Sequence, residues 1–398
     1  MCSFDAIPSR KDSASMKWRA MRAHNNHLPD DIVPFSAADM EFKNAPEIIA
    51  AMKEFLDSDN GVLAYYTWDQ RYCDAIQNWL RVRHHWEVST DWMLATAGIL
   101  PGIYVAVEAF TKPGDGILVQ TPVYDPYFAT IEGNGRRLVT SDLVYNGTRY
   151  EMDFDDIESK LRDPKTTMLL LCSPHNPVGR VWTQEELARL GKICVENHVY
   201  VVSDEAHCDL ILPGHQHTCY ASVSEEMAEH CVTLISPAKG FNLAGTQNAC
   251  AIIKNKEDRE LFSKTAFPHA QYTCDPLGFI AVETAYSKCG GWLDELNQVI
   301  DKNRIFMTEF IERYLPEIKV MPMEGTYLLW LDCRGLGMDY LELEKFMKEK
   351  AYLYLDEGYM FGEAGRGFER WNLACHVSIL ESALLRLKAA VEERRSSQ

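Results

Sequence analysis

Leu234-Ile-Ser-Pro-Ala-Lys239-Gly-Phe-Asn-Leu-Ala-Gly245 decides how this chain is read. A short apolar run from Cys231 to Ile235 stops abruptly. A lysine then follows in a loop poor in charge and bounded by Pro237 and Gly240. Most lysines sit on solvated faces, so one at the end of a buried strand has two explanations. Either its stem snorkels the ammonium to water, or it is held there for its chemistry. A desolvated lysine loses its proton readily, and the free amine can form a Schiff base with an aldehyde. Taken alone, Lys239 leaves both open.

The neighbouring strand ends narrow the choice. Residues 168–172 form an apolar run that delivers Ser173-Pro-His-Asn176-Pro-Val-Gly179, and Val199-Tyr-Val-Val-Ser-Asp204 ends in an acid. Between Asp91 and Glu205 short apolar runs alternate with helical patterns. Strands are expected over 93–96, 117–120, 137–141, 168–172 and 200–203, with further ones at 231–235 and 250–253. The clearest helix is 184–197, where Leu187, Leu190, Ile193 and Cys194 recur at helical spacing behind Thr183 as cap. This alternation predicts an α/β fold, a mostly parallel sheet of the seven-stranded type flanked by helices. Ligands gather at the carboxyl ends of such strands. Asn176, Asp204 and Lys239 are therefore expected along one rim. Each has an ordinary alternative as a turn former, a turn acid or a loop lysine, but the three together form a constellation.

Before the sheet the chain is irregular to about residue 43. Helices are expected over 46–56, with Asn44 as N-cap, and 71–85, separated by the aromatic cluster Tyr65-Tyr66-Thr-Trp68. After Pro276 the pattern becomes α+β. Helices are expected over 277–287 and 292–314, then strands over 319–323 and 327–332 around Glu324-Gly325. A helix over 340–350, strands near 352–355 and 370–374 and a helix over 380–394 complete it, with a frayed tail. The expected division is an N-terminal segment 1–45 packing with the small domain, a large domain 46–289 and a small α+β domain 290–398.

Composition sets the outer bounds. The 398 residues carry a formal charge of −18, which disfavours nucleic acid and anionic membrane as partners. No apolar run approaches the ~20 residues of a membrane-spanning helix. The first eighteen residues lack the apolar core of a signal peptide. Twelve cysteines without a CxxC pair suit buried thiols in a reducing compartment. A cytoplasmic protein is expected. His207, Cys208, His215, His217 and Cys219 fit no familiar zinc spacing and read as pocket or surface residues. His84 and His85 read as solvating a helix end, and Gly362–Gly367 as a turn rather than a phosphate loop.

Seven motifs, in order, carry a resemblance. They are Ala38-Asp-Met-Glu-Phe42, Thr121-Pro-Val-Tyr124, Ser173-Pro-His-Asn-Pro-Val-Gly179, Ser203-Asp-Glu-Ala-His207, Ser236-Pro-Ala-Lys239, Glu324-Gly-Thr-Tyr-Leu328 and Phe368-Glu-Arg370-Trp-Asn-Leu-Ala374. Nearly the whole chain resembles the fold-type I pyridoxal phosphate enzymes, and specifically the cystathionine β-lyase and cystalysin branch of the class I/II aminotransferase family. The resemblance implies that Lys239 holds pyridoxal 5'-phosphate and moves the substrate's Cα proton. Asp204 would face the pyridine nitrogen, where a carboxylate keeps it protonated and electron-withdrawing. Asn176 would donate to the phenolic oxygen, and Tyr124 would stack on the ring, although a core aromatic is its competing role. Gly98 and Ile99, opening a helix over about 101–110, would bind phosphate through free N–H groups, with Ser236 adding a hydroxyl. Tyr66 would reach the phosphate from the partner of a homodimer. Arg370 would grip the substrate carboxylate beside Ala38 and Asn176.

The chain departs from the aminotransferase pattern at three places in this region. Gln247 stands where many of those enzymes carry arginine, His207 where a tyrosine often bonds the phenolic oxygen, and Gly240 where a polar residue is usual. His207 can serve as that donor or simply pack. The implied activity is carbon–sulfur β-elimination from cystathionine or cysteine, giving thiol, pyruvate and ammonia. The alternatives are amino transfer, which shares the deprotonation machinery, and a regulatory protein that keeps the pocket but acts through a partner.

Overall fold

The structure is a computed structural model and describes residues 4–271 and 275–397. Its centre is a seven-stranded sheet built from β1 (Met93–Thr96), β2 (Gly116–Thr121), β3 (Arg137–Asp142), β4 (Thr166–Cys172), β5 (Tyr200–Asp204), β6 (Cys231–Ile235) and β7 (Ala249–Ile252). The spatial order is β1-β7-β6-β5-β4-β2-β3. Only β7 pairs antiparallel, with β1 on one side and β6 on the other. The remaining pairs are parallel, so the expected mostly parallel sheet is present. Leu169, Leu170, Val202, Val232 and Leu234 are fully buried. Strands covered on both faces need no polar side, which is why they read as unbroken apolar runs.

Helix α1 (Met16–His24) packs with the N-terminal segment against Tyr354 and Ile379, and the helices of the large-sheet region include α2 (Pro46–Asp57), α3 (Gln70–His84), α4 (Ile99–Phe110) and α5 (Gln184–Glu196). Helix α5 carries the anticipated Thr183 cap as part of a capping box, with Thr183 accepting from Glu186 N–H and the Glu186 side chain returning the bond. Helix α3 is capped by Asp69, which accepts from Tyr72 N–H.

Farther along come α6 (Pro276–Lys288), α7 (Gly290–Tyr314), α8 (Tyr340–Glu349) and α9 (Val377–Ser397). With them is a four-stranded antiparallel sheet of β8 (Lys319–Val320), β9 (Leu328–Asp332), β10 (Asp356–Glu357) and β11 (Phe368–Asn372), in the order β8-β9-β11-β10. The N-terminal segment hydrogen-bonds into this region. Phe35 N–H donates to Tyr354 O, Asn372 N–H to Phe35 O and Glu41 N–H to Ala374 O.

Four local expectations are corrected. Asn44 does not cap α2; Ala45 precedes Pro46 there, and the Asn44 amide donates to the carbonyls of Phe241 and Asn242. Residues 352–355 form no strand. Tyr352 takes a φ of 51°, Leu353, Tyr354 and Leu355 are buried, and pairing starts only at Asp356. Apolar burial without a ladder imitates a strand in the sequence. The tail expected to fray at residue 394 stays helical to Ser397, helped by Arg395 paired with Glu317. His84 is buried rather than solvating the end of α3, which His85 closes in a left-handed conformation.

Candidate active site

Register brings the predicted residues together. Asp204 on β5 lies opposite Cys172 on β4 and Leu234 on β6. The loops leaving these strands, with Asn176 after β4 and Ser236 and Lys239 after β6, therefore share one rim. A cavity of about 180 Å³ opens there. It is lined by Lys239, Asp204, Asn176, Tyr124, His207, Ser236, Gly98, Ile99 and Ala38, among others. Arg370 and Tyr66 are the predicted site residues outside it.

Lys239 is part-buried, and its Nζ donates to Ala38 O at 3.0 Å. Burial pushes its pKa down to about 8 and the nearby Arg370 adds to this, against the opposing pull of Asp204, Asp39 and Asp356. A lysine so placed has a usable neutral fraction near neutral pH, as a nucleophilic amine requires. Ala38 O also accepts from Tyr327 Oη at 2.7 Å, which fixes the carbonyl that receives the ammonium.

Asp204 is buried, and burial raises its carboxyl above the usual range. Its ionised form is supported by Tyr127 Oη donating to Oδ2 at 2.6 Å, Ala206 N–H donating to Oδ1 at 3.0 Å, and the charge on Lys239. Tyr127 is not among the residues that the sequence singles out. It lies on the short helix Pro126–Gly133, three residues after Tyr124, and its ring meets that of Tyr124 edge-on at 5.4 Å. The spacing within Tyr124-Asp-Pro-Tyr127 is its only signal, and a core aromatic gives the same one.

Arg370 on β11 is buried and held on three sides. Nη1 donates to Asn176 Oδ1 at 2.7 Å, Asp356 takes Nε and Nη2, and the guanidinium lies 4.8 Å from the centre of the Phe361 ring. Asp356 also escapes the sequence reading. It comes from β10, directly opposite Arg370 in the ladder, and it also accepts from Ala37 N–H at 2.9 Å. The fork is thus aimed from the small sheet toward the cavity edge that Asn176 forms.

His207 is buried, its edge against the Tyr327 ring, and its Nδ1 has no hydrogen-bond partner. Burial holds its pKa well below the ordinary value, with Lys239 and Arg370 acting the same way. It is therefore a neutral imidazole. Gly98 opens α4 with φ 125° and no side-chain cap, which leaves the first N–H groups of the helix uncapped, and Gly98, Ile99 and Leu100 line the cavity. Ser236 Oγ donates to Asn248 O at 2.7 Å and accepts from Ala238 N–H. Asn248 Nδ2, also in the lining, is buried without a partner.

Tyr66 stands apart. Its hydroxyl donates to Asn60 O, and it lines a separate surface cavity of about 590 Å³ between α2 and α6. Within one chain it does not reach the lysine.

These donors suit a phosphorylated pyridine aldehyde. An uncapped helix N-terminus offers free N–H groups to an anion, with Ser236 Oγ, whose proton goes to Asn248 O, also in the lining. A buried carboxylate is available for a ring nitrogen, and an amine of lowered basicity for an aldehyde. The unpartnered His207 Nδ1 and Asn248 Nδ2 are polar atoms that a ligand would satisfy. Among the described residues of the lining, Lys239 is the sole cation.

Residues 30–383 match the family model for aminotransferase class I and II. A cystathionine beta-lyase, PatB, of Bacillus subtilis is 39% identical over 98% of this chain and 100% of its own. The crystal structure of cystalysin from Treponema denticola, which contains pyridoxal 5'-phosphate, superposes with a TM-score of 0.97 at 42% identity, covering 99% of each chain. The pyridoxal phosphate-bound C–S lyase from Staphylococcus hominis superposes with a TM-score of 0.89 at 29% identity, covering 98% of each.

Proposed function

The chain belongs to the class I and II aminotransferase family, and from that we propose that it is a pyridoxal phosphate-dependent carbon–sulfur β-lyase. It takes an amino acid bearing sulfur on Cβ, of the cystathionine or cysteine type, and releases thiol, pyruvate and ammonia. When bound, pyridoxal phosphate supplies the electron sink that allows the Cα–H bond and then the Cβ–S bond to break.

The chain's own groups divide the remaining work. Lys239 anchors the cofactor aldehyde and, once free, takes the Cα proton. Asp204, held ionised by Tyr127 and Ala206, keeps a proton on the ring nitrogen. Asn176 turns its amide toward the phenolic oxygen while its carbonyl steadies Arg370. Arg370 takes the substrate carboxylate, with Ala38 beside it. Tyr124 would stack on the ring, and His207, neutral and with Nδ1 unpartnered, would be available to its phenolic oxygen. Gly98, Ile99 and Ser236 hold the phosphate.

The observation that carries this reading is a lysine of lowered pKa facing a buried carboxylate across one cavity, in a chain so similar to cystalysin. The test is a single reaction with cystathionine, scored for pyruvate, thiol and keto acid together. Pyruvate and thiol in equal amounts are expected; amino transfer to an added keto acid without pyruvate would make it an aminotransferase.

Three further readings belong to the proposal. The active form is a homodimer in which Tyr66 reaches the partner's phosphate site. The exposed Val62, Leu63 and Tyr65 beside it support a covered surface. The chain works in the cytoplasm, which the ten reduced, buried cysteines among the described residues favour. It divides near residue 290 into a large cofactor domain and a small one that brings Arg370.

A further inference from the structure

Behind the cofactor rim lies a second polar cluster that the reaction does not use. The segment leaving β5 sends Asp204 and His207 into the active-site cavity. Glu205, Cys208 and Asp209 of the same segment line or neighbour a different cavity, of about 260 Å³, that also takes in His84, His217 and Arg83. His84, at the end of α3, His217 and Cys219 are all buried. They bring two ring nitrogens and a thiol sulfur within 4.8 Å of one another. The spacing of His215, His217 and Cys219 suggests no metal site because the third ligand comes from α3, more than a hundred residues earlier.

We propose that His84, His217 and Cys219 form a binding site for a borderline transition-metal dication of the zinc class. Two observations beyond proximity point to a metal. First, each histidine is buttressed by a buried carboxylate. His217 Nε2 lies 2.8 Å from Glu205 Oε2, and His84 Nε2 lies 2.8 Å from Asp209 Oδ1. This carboxylate–histidine pairing is the outer-shell arrangement that orients imidazole ligands and raises their basicity. Second, the pairing with Glu205 leaves His217 Nδ1 as the free nitrogen, and it is buried with no hydrogen-bond partner. Glu205 also accepts from Ser203 Oγ and Tyr220 N–H and is in hydrogen-bond contact with the Cys219 thiol, so with four partners its role is to hold the ligands rather than to ligate.

Zinc–nitrogen and zinc–sulfur bonds of about 2.0–2.3 Å place tetrahedral donors roughly 3.5 Å apart, so side-chain shifts of about 1 Å close the site. The adjoining cavity supplies an entry path and room for a fourth ligand. That ligand is water, since Asp209 is taken up in holding His84. Binding expels one proton, from the Cys219 thiol, to solvent. Arg83 lines the outer part of the cavity but is engaged by Asp294 and stacks on Trp79, which draws its charge away from the ligands.

The test uses holoenzyme stripped of trace metal by dialysis against a chelator, then titrated with Co²⁺. The expected result is the visible d–d spectrum of tetrahedral cobalt, saturating at one ion per chain and displaced by Zn²⁺, with a thiolate-to-cobalt charge-transfer band. Cys219→Ser should lose that band. Glu205→Gln should weaken binding about 10- to 100-fold, the usual loss for an outer-shell partner. His215→Ala, altering an exposed neighbour, should change nothing. Variants are compared only where far-ultraviolet dichroism and cofactor absorbance match the parent, and Cys219→Ser, a single-atom exchange, suffices alone. No cobalt spectrum at equimolar metal, or the same spectrum in Cys219→Ser, would overturn the proposal. The readout is independent of catalysis.

Discussion

Lys239→Met should stabilise the cofactor-free protein at neutral pH while ending its activity. In the folded state the lysine's pKa is lowered from 10.5 to about 8, with burial as the main cause. A tenfold change in proton affinity corresponds to about 1.4 kcal/mol, so the buried ammonium costs the fold about 3 kcal/mol wherever it is charged in both states. Methionine has similar length and no charge to desolvate. It forfeits the ammonium's bond to Ala38 O, worth about 1.5–3 kcal/mol. That carbonyl is not orphaned, because Tyr327 Oη still donates to it. The net gain is about 1 kcal/mol. Below pH 8 the penalty is fully present in the wild type. Between about 8 and 10.5 the unfolded chain binds more protons than the folded one, so wild-type stability climbs toward the variant's, and above 10.5 the penalty is gone. Urea unfolding of both cofactor-free proteins across this range reads the difference directly. A variant less stable than wild type at neutral pH, or a difference that does not shrink with rising pH, would refute the assignment of Lys239 as a desolvated amine.

Tyr127→Phe removes a charge-supporting hydrogen bond worth about 1.5–3 kcal/mol from Asp204. The carboxyl should become still harder to ionise, and the acid limb of the pyruvate-release profile should move up by about 1–2 pH units, because activity is lost as pH falls through that pKa; an unmoved limb would separate Tyr127 from the ring-nitrogen partner. Lys239→Ala should abolish turnover and the lysine-dependent cofactor spectrum while far-ultraviolet dichroism stays native. Arg370→Lys should raise KM for the amino acid at least about tenfold, since an ammonium cannot span Asn176, Asp356 and a carboxylate together; steady-state kinetics with cystathionine checks this. Thr183→Ala should cost about 1 kcal/mol in denaturant titration without affecting activity, by opening the α5 capping box.

The parallel strands were legible because burial on both faces leaves a simple mark, an apolar run closed by a polar residue. Asn176, Asp204 and Lys239 stood out as the closing residues of three such runs, and parallel register then aligned them. Tyr127 and Asp356 were not legible. Each acts on a partner far away in sequence, 77 residues for Tyr127 and Asp204 and 14 for Asp356 and Arg370. Nothing local distinguishes a tyrosine that holds a carboxylate from one that fills a core. Asn44 misled for the opposite reason: its local setting suits a cap, but its amide is taken by the Phe241 and Asn242 carbonyls of the lysine loop. Residues 352–355 have the composition of a strand and are buried like one, yet the left-handed turn at Tyr352 leaves the ladder to Asp356 and Glu357.

The groups that loosen the Cα proton are common to elimination and amino transfer, so they cannot by themselves choose between the two outcomes. The choice rests on what happens to sulfur at Cβ. A departing thiolate needs a proton, and among the described residues of the cavity lining Lys239 is the only cation. Its pKa of about 8 lies close to the ~8.5 of a thiol, so handing the Cα proton on to sulfur is nearly thermoneutral, whereas an unperturbed lysine near 10.5 would hold it about a hundredfold more tightly. His207 does not compete, since burial keeps it neutral and short of a proton to give. The burial that makes Lys239 costly to the fold is therefore what fits it to both halves of an elimination. In the proposed elimination it would be a base strong enough to take the Cα proton and an acid that releases that proton readily to the leaving group.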